Sequence, residues 1–239
     1  MHTKNNILLL EKIANDYFNC LSSHYPVMCM SDEFHFLPRA KKSVEYLHLL
    51  DSLDKDRITE DIAYITGLRN KLDKLDISKA SLDSIIDYTV LRQSMSSFLI
   101  EFGQAKVWQN DPTIYLKLIL LAIDQLTRIQ AFSTYDMPSC LLSRLAQIPR
   151  LLNEIKINLS SIPLAHLKTS VDLINASIKY FGNYSIHLSS KSTSFQKDFD
   201  KLMKNIKQAL SDLKKNLRRK PTSSRIPRDR KVLEDTLKH

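Results

Sequence analysis

The sequence predicts an all-α fold: a multi-helix bundle of antiparallel amphipathic helices, followed by a disordered basic C-terminal tail. Three observations carry this. Only three glycines occur in 239 residues, against a usual share of about 7%. Apolar residues recur at steps of three and four along most of the chain. The regular turn signals that separate strands are missing. With 43% hydrophobic residues the chain can bury a real core, and its length suits one domain or two. The pattern places a single bundle of six to eight helices at residues 5–218 and the tail at residues 219–239.

The first helix is expected over residues 6–21, where Leu9, Ile13, Tyr17 and Leu21, flanked by Leu10, Ala14 and Phe18, draw one apolar stripe. Pro26 and Pro38 punctuate the irregular segment that follows. Pro38, whose missing N–H needs no partner at a first helical position, opens a second helix reaching to about residue 75. That helix carries Val44, Leu47, Leu50, Ile58, Ile62, Ile65 and Leu72, with a kink or break across Asp54-Lys55-Asp56, where the register slips. Gly67 costs a helix interior about 1 kcal/mol relative to alanine, which marks it as a point of close packing. Ser78 or Ser81 caps a third helix by offering a side-chain oxygen to unpaired backbone N–H groups. Its stripe is Tyr88, Leu91, Met95, Phe98 and Phe102, and Gly103 ends it as a left-handed cap.

A fourth helix is expected over residues 113–127. Trp108, the only tryptophan, stands before it: Asp111 caps the helix that Pro112 opens, while Trp108 and Tyr115 clamp across the turn. Three long helices follow. The first carries Leu141, Leu145, Ile148, Leu152, Ile155 and Leu159, with Pro149 inside to kink or break it. The next carries Leu164, Leu167, Val171, Ile174, Ile178 and Phe181, and the last Phe195, Phe199, Leu202, Ile206, Leu210, Leu213 and Leu217. Such steps suit helices packed side by side, and the short Ser160-Ser161-Ile162-Pro163 link makes the first two an antiparallel hairpin. After Lys220 the pattern dissolves. Residues 221–231 are polar, basic and broken by two prolines, too poor in apolar surface to offset about 1–2 kcal/mol of ordering per residue.

The net charge of +9 is unevenly placed. Residues 214–239 hold ten basic against three acidic side chains, and the remaining 213 residues hold 25 against 23. The body is near neutral and the tail is basic, whereas a nucleic-acid footprint spreads over a folded face. Cys20, Cys29 and Cys140 are odd in number and lack CxxC spacing, which argues against a disulfide framework or a cysteine zinc site and for buried thiols in a reducing compartment. The apolar run Ile7-Leu8-Leu9-Leu10 is shorter than the roughly 7–15 residues of a signal-peptide core. No apolar stretch approaches the roughly 20 residues needed to cross a bilayer. A cytoplasmic protein without membrane contact is expected.

Chemistry-bearing motifs are missing from the sequence. The histidines at 2, 24, 35, 48, 166, 187 and 239 include no HExxH and no pair three or four residues apart. Among metal candidates, Asp32-Glu33-Phe34-His35 is the least poor. His48 and Asp51 are expected to share a helix face. No P-loop, no GxGxxG and no Gly-x-Ser-x-Gly elbow is present. The sequence therefore predicts no catalytic, cofactor-binding or metal residue and no cofactor.

The order of the structural motifs resembles a known family. Pro26 follows the first helix, and a long helix runs into Asp76-Ile77-Ser78. A helix bearing Asp87 and Leu91 comes next, then the Trp108, Asp111, Pro112 and Tyr115 turn. Last comes the Arg144, Pro149, Asn158 and Pro163 string. Over residues 7–217 this is similar to the N-terminal helical region of the bacterial family called domain of unknown function 885, whose members look like HExxH zinc metallopeptidases. The resemblance implies helices that wall one side of a substrate channel. Family members continue for a comparable length again, and that later part supplies the histidines, the glutamate base and the last metal ligand. No position here matches them, so none is carried over. The expected function is a non-catalytic helical module, truncated or working with a separate catalytic chain or a peptide. The alternative is a free-standing interaction protein whose basic tail engages an acidic partner or nucleic acid.

Overall fold

The structure, a computed structural model, describes residues 2–128, 136–183 and 193–223. Eight helices stand among them: α1 (His2–His24), α2 (Lys55–Leu72), α3 (Leu82–Phe98), α4 (Val107–Asn110), α5 (Pro112–Arg128), α6 (Met137–Asn158), α7 (Leu164–Asn183) and α8 (Thr193–Leu217). Two dipeptides, β1 (Ile162–Pro163) and β2 (Thr222–Ser223), pair in parallel. The fold is all-α. The described chain falls into two compact units, one of residues 2–45 and 54–106, the other of residues 46–53 and 107–223 without the stretches left undescribed.

In the first unit α1, α2 and α3 pack on one another. The buried stripe of α1 runs through Leu10, Ile13, Tyr17 and Leu21, while Leu9 is exposed. Tyr25, Phe98 and Phe102 form an aromatic knot in which Phe98 and Phe102 stack with ring centroids 4.7 Å apart. Pro38 does not open an α-helix. Residues Lys41–Tyr46 form 3-10 turns, residues 47–54 are not helical, and α2 starts afresh after Asp54. Asp54 decides that start, because its carboxylate accepts from the backbone N–H groups of Asp56 and Arg57, both at 3.1 Å. Ser81, rather than Ser78, caps α3.

Both glycine readings are corrected. A side chain at Gly67 would meet nothing within 4 Å, so nothing packs closely there. Gly103 is no left-handed cap. α3 widens into π-helical turns at Leu99–Gln104, closed by Ala105 N–H donating to the Ile100 carbonyl at 2.8 Å. The left-handed residue is Lys106, with φ 47°. Gly103 lies instead where a Cβ would stand 3.8 Å from the Ile62 side chain, an ordinary packing contact between α2 and the widened turn.

In the second unit α5 and α8 each pack against both α6 and α7. The α6–α7 hairpin is therefore corrected: these two helices pack chiefly on α5 and α8 rather than on each other. The link between them does not close a tight turn, because Ile162–Pro163 pair with residues beyond α8 and Ile162 N–H donates to the Pro221 carbonyl at 3.0 Å. α8 buries Phe199, Met203, Ile206, Leu210, Leu213 and Leu217, a seven-residue repeat that keeps one stripe inward. α7 buries Ser170 and Ser177 in alternation with Ile174 and Phe181, each hydroxyl donating to a carbonyl one turn back at 2.6 and 2.8 Å. α6 runs unbroken through Pro149. Of the expected tail, residues 219–223 are ordered by β2 and by Lys220, which donates to the Lys156 carbonyl at 3.1 Å and to that of Leu159. That lysine covers carbonyls left open at the end of α6. Residues 224–239 lie outside the described residues.

Candidate functional site

The motif residues of the second unit belong to one polar ridge. Steps of three and four place Ser143, Arg144, Gln147, Arg150, Glu154 and Asn158 along one side of α6. Residues 48–53 lie against that side without helical or sheet partners, so their backbone groups need side chains instead. The ridge supplies them. Ser143 Oγ and Gln147 Nε2 donate to the His48 carbonyl at 2.7 and 2.9 Å, and Arg144 Nε to that of Leu49 at 3.1 Å. Gln147 Oε1 accepts from Leu50 N–H at 3.1 Å, while Arg150 Nη2 donates to the Leu50 and Asp51 carbonyls, both at 3.0 Å. Glu154 accepts from Leu53 N–H at 2.8 Å, and Asn158 Nδ2 donates to the Leu53 carbonyl at 2.6 Å. His48 and Asp51 thus sit on an irregular strap, not on a helix face.

Arg144 is fully buried, and Nη1 also donates to the Ala122 carbonyl of α5 at 2.6 Å. Burial pulls its guanidinium down to about 10, against the opposing pull of Asp51. Tyr115 donates its phenol to the Trp108 carbonyl at 2.6 Å and accepts from Asn158 Nδ2 at 2.8 Å, so three expected residues meet in one chain of bonds. Burial raises the Tyr115 phenol, and the Asn158 bond opposes it. Asp111 accepts from Thr113 N–H at 2.9 Å and from its hydroxyl at 2.6 Å, beside the start that Pro112 gives α5. Pro149 lies within α6, and Pro163 lies in β1. These groups are committed to backbone atoms, an arrangement that builds structure.

A second constellation lies in the first unit, and sequence reading missed it. Cys20 and His24 are four residues apart near the end of α1, and Asp61 faces them from α2. His24 Nδ1 is 2.8 Å from Asp61 Oδ1, and Cys20 Sγ is 3.7 Å from Nδ1 and 3.8 Å from Oδ1. Tyr25 donates to Asp61 Oδ2 at 2.7 Å, and Arg57 Nη1 is 3.1 Å from His24 Nε2. A guanidinium only donates, so Nε2 accepts and Nδ1 carries the proton that goes to Asp61. Burial, then the Asp61 carboxylate, push the Cys20 thiol up to about 12, so it stays protonated and is a poor nucleophile. The Cys-x-x-x-His spacing on a helix was the available signal; Asp61, 37 residues further on, had none. Asp32-Glu33-Phe34-His35, the least poor metal candidate in the sequence, forms no metal-ligating cluster among the described residues. Asp32 pairs with Arg39, and both are exposed.

Part of the exposed side of α3 is apolar, beside the exposed acids Asp83 and Asp87. Leu82, Ile86 and Val90 follow one another at one-turn steps and are 71%, 49% and 60% exposed. No helix among the described residues is long and apolar enough to cross a membrane. No family model and no curated protein matches the sequence. Among solved structures, a protein of Shewanella oneidensis described provisionally as a lipoprotein of unknown function superposes with a TM-score of 0.65 at 16% identity. The match covers 87% of this chain and 37% of that one. At that identity the likeness is one of fold, and this chain spans little more than a third of the longer protein's length.

Proposed function

We propose that this chain is a non-catalytic helical module that works by docking a second polypeptide onto the first unit. The N-terminal helical region of the metallopeptidase-like family would meet its catalytic half in the same way. The observation that carries the reading is the row Leu82, Ile86 and Val90 on α3. Three large apolar side chains in line, held clear of the core of their own unit, suit an apolar helix or strand laid along them. The match to only 37% of a longer chain supports it, since there the same fold is one part of a larger protein. The polar ridge of α6 fits a scaffold role, because its side chains hold backbone.

A photo-crosslinking residue in place of Ile86 tests this in cells. One discrete adduct with a second polypeptide is expected, lost when Leu82 and Val90 become aspartate. Self-adducts alone, or cleavage of peptides by the purified chain, would overturn the reading.

A further inference from the structure

We propose that Cys20 Sγ, His24 Nδ1 and Asp61 Oδ1 form a binding site for one divalent transition ion of the zinc class, independent of the docking face on α3. Zinc bonds of about 2.0–2.3 Å at tetrahedral angles separate their donors by about 3.3–3.6 Å. The sulfur-to-nitrogen and sulfur-to-oxygen separations of 3.7 and 3.8 Å already lie near that range. The nitrogen-to-oxygen separation of 2.8 Å must widen, as it does once the proton between the two atoms is gone. A thiolate, an imidazole and one carboxylate select zinc or cobalt over magnesium or calcium, which take oxygen ligands.

The surroundings are those of a ligand set with outer support. Tyr25 holds the carboxylate oxygen that does not face the metal, which fixes the direction of the other. His24 and Asp61 side chains are 27% and 4% exposed, so the ion enters from the imidazole side and a water completes its coordination. The proton balance is explicit. The thiol releases its proton to solvent, the imidazole loses the Nδ1 proton and gains one at Nε2, and one proton leaves per ion bound. Arg57, exposed on α2, then turns away from Nε2, which has become a donor. The site clamps the end of α1 to α2.

The test uses the full reduced chain, stripped of metal with a chelator and titrated with Co(II). One equivalent should bind with a thiolate-to-cobalt charge-transfer band and the intense visible bands of four-coordinate cobalt, and Zn(II) should displace it. Cys20→Ser should abolish the charge-transfer band and weaken Zn(II) binding by tenfold or more. Tyr25→Phe should keep the band and weaken binding by about tenfold. Asp61 is too buried for its variants to be trusted to fold, so these two variants, checked for helix content, carry the test. Absence of saturable binding would overturn the site. So would a charge-transfer band that survives Cys20→Ser, which would place the metal on another cysteine. Metal binding without any adduct from Ile86 would sink the docking reading and leave this site standing.

Discussion

Arg144 shows how one residue can set a local fold. Its guanidinium reaches the Leu49 and Ala122 carbonyls and lies fully buried near Asp51. Arg144→Leu would take the donor from the half-buried Leu49 carbonyl and a favourable charge from beside the buried Asp51 carboxylate, while the Ala122 carbonyl keeps its place inside α5. An unsatisfied buried group costs about 1–3 kcal/mol, so a loss of that order is expected in urea unfolding. A loss under 1 kcal/mol would show that water replaces the guanidinium. Asp73 governs a pH effect at the end of α2. Burial pushes its carboxyl up, but bonds from Arg92 at 2.9 Å and Arg69 at 3.1 Å outweigh this and hold it below the ordinary aspartate range. A carboxyl lowered in the folded state contributes stability above its unfolded value and loses it as pH falls through the folded one. Asp73→Asn should therefore flatten the fall in melting temperature below about pH 4 and leave the curve above it parallel to wild type. At this scale the sequence was half legible. Arg144 and Asn158 stand out in the motif string, yet their partners lie 95 and 105 residues away, where no periodicity points.

Helices were legible wherever an apolar stripe is continuous. The second predicted helix fails at residues 41–53 for a physical reason. Val44, Leu47 and Leu50 have helical spacing, but so does any strap that buries one residue in three. What decides the conformation is the α6 ridge, which satisfies the strap's backbone from outside and removes the need for internal helical bonds. The widened end of α3 was hidden for a related reason, since Phe98, Phe102 and Gly103 suit an ordinary capped helix and only the backbone bond from Ala105 to Ile100 shows otherwise. Pro149 gives the prediction at this scale. It sits inside an unbroken helix, removes the bond to the Leu145 carbonyl and crowds that turn. Pro149→Ala should stabilise the chain by about 1–3 kcal/mol, read from the urea midpoint at unchanged slope. A loss of stability would mean that the bend proline imposes is built into the packing of α6 on α5 and α8.

For the whole molecule, two features compete to explain what binds: the apolar row on α3 and the basic C-terminal stretch. They respond to different forces. Apolar docking depends on area removed from water and is little affected by salt, whereas phosphate contacts release counterions and weaken steeply as salt rises. Part of the basic stretch is already engaged, because Lys220 holds carbonyls at the end of α6 and Lys214 donates to Asn175 at 2.7 Å. Exposed positions tolerate charge, so Leu82→Asp with Val90→Asp should shift folding stability by no more than about 0.5 kcal/mol. The same pair should cut the yield of the Ile86 adduct by tenfold or more. Removing residues 224–239 should leave that yield unchanged between low and physiological salt. If the truncation abolishes the adduct while the aspartates do not, the tail carries the interaction and the α3 row is only an exposed stripe.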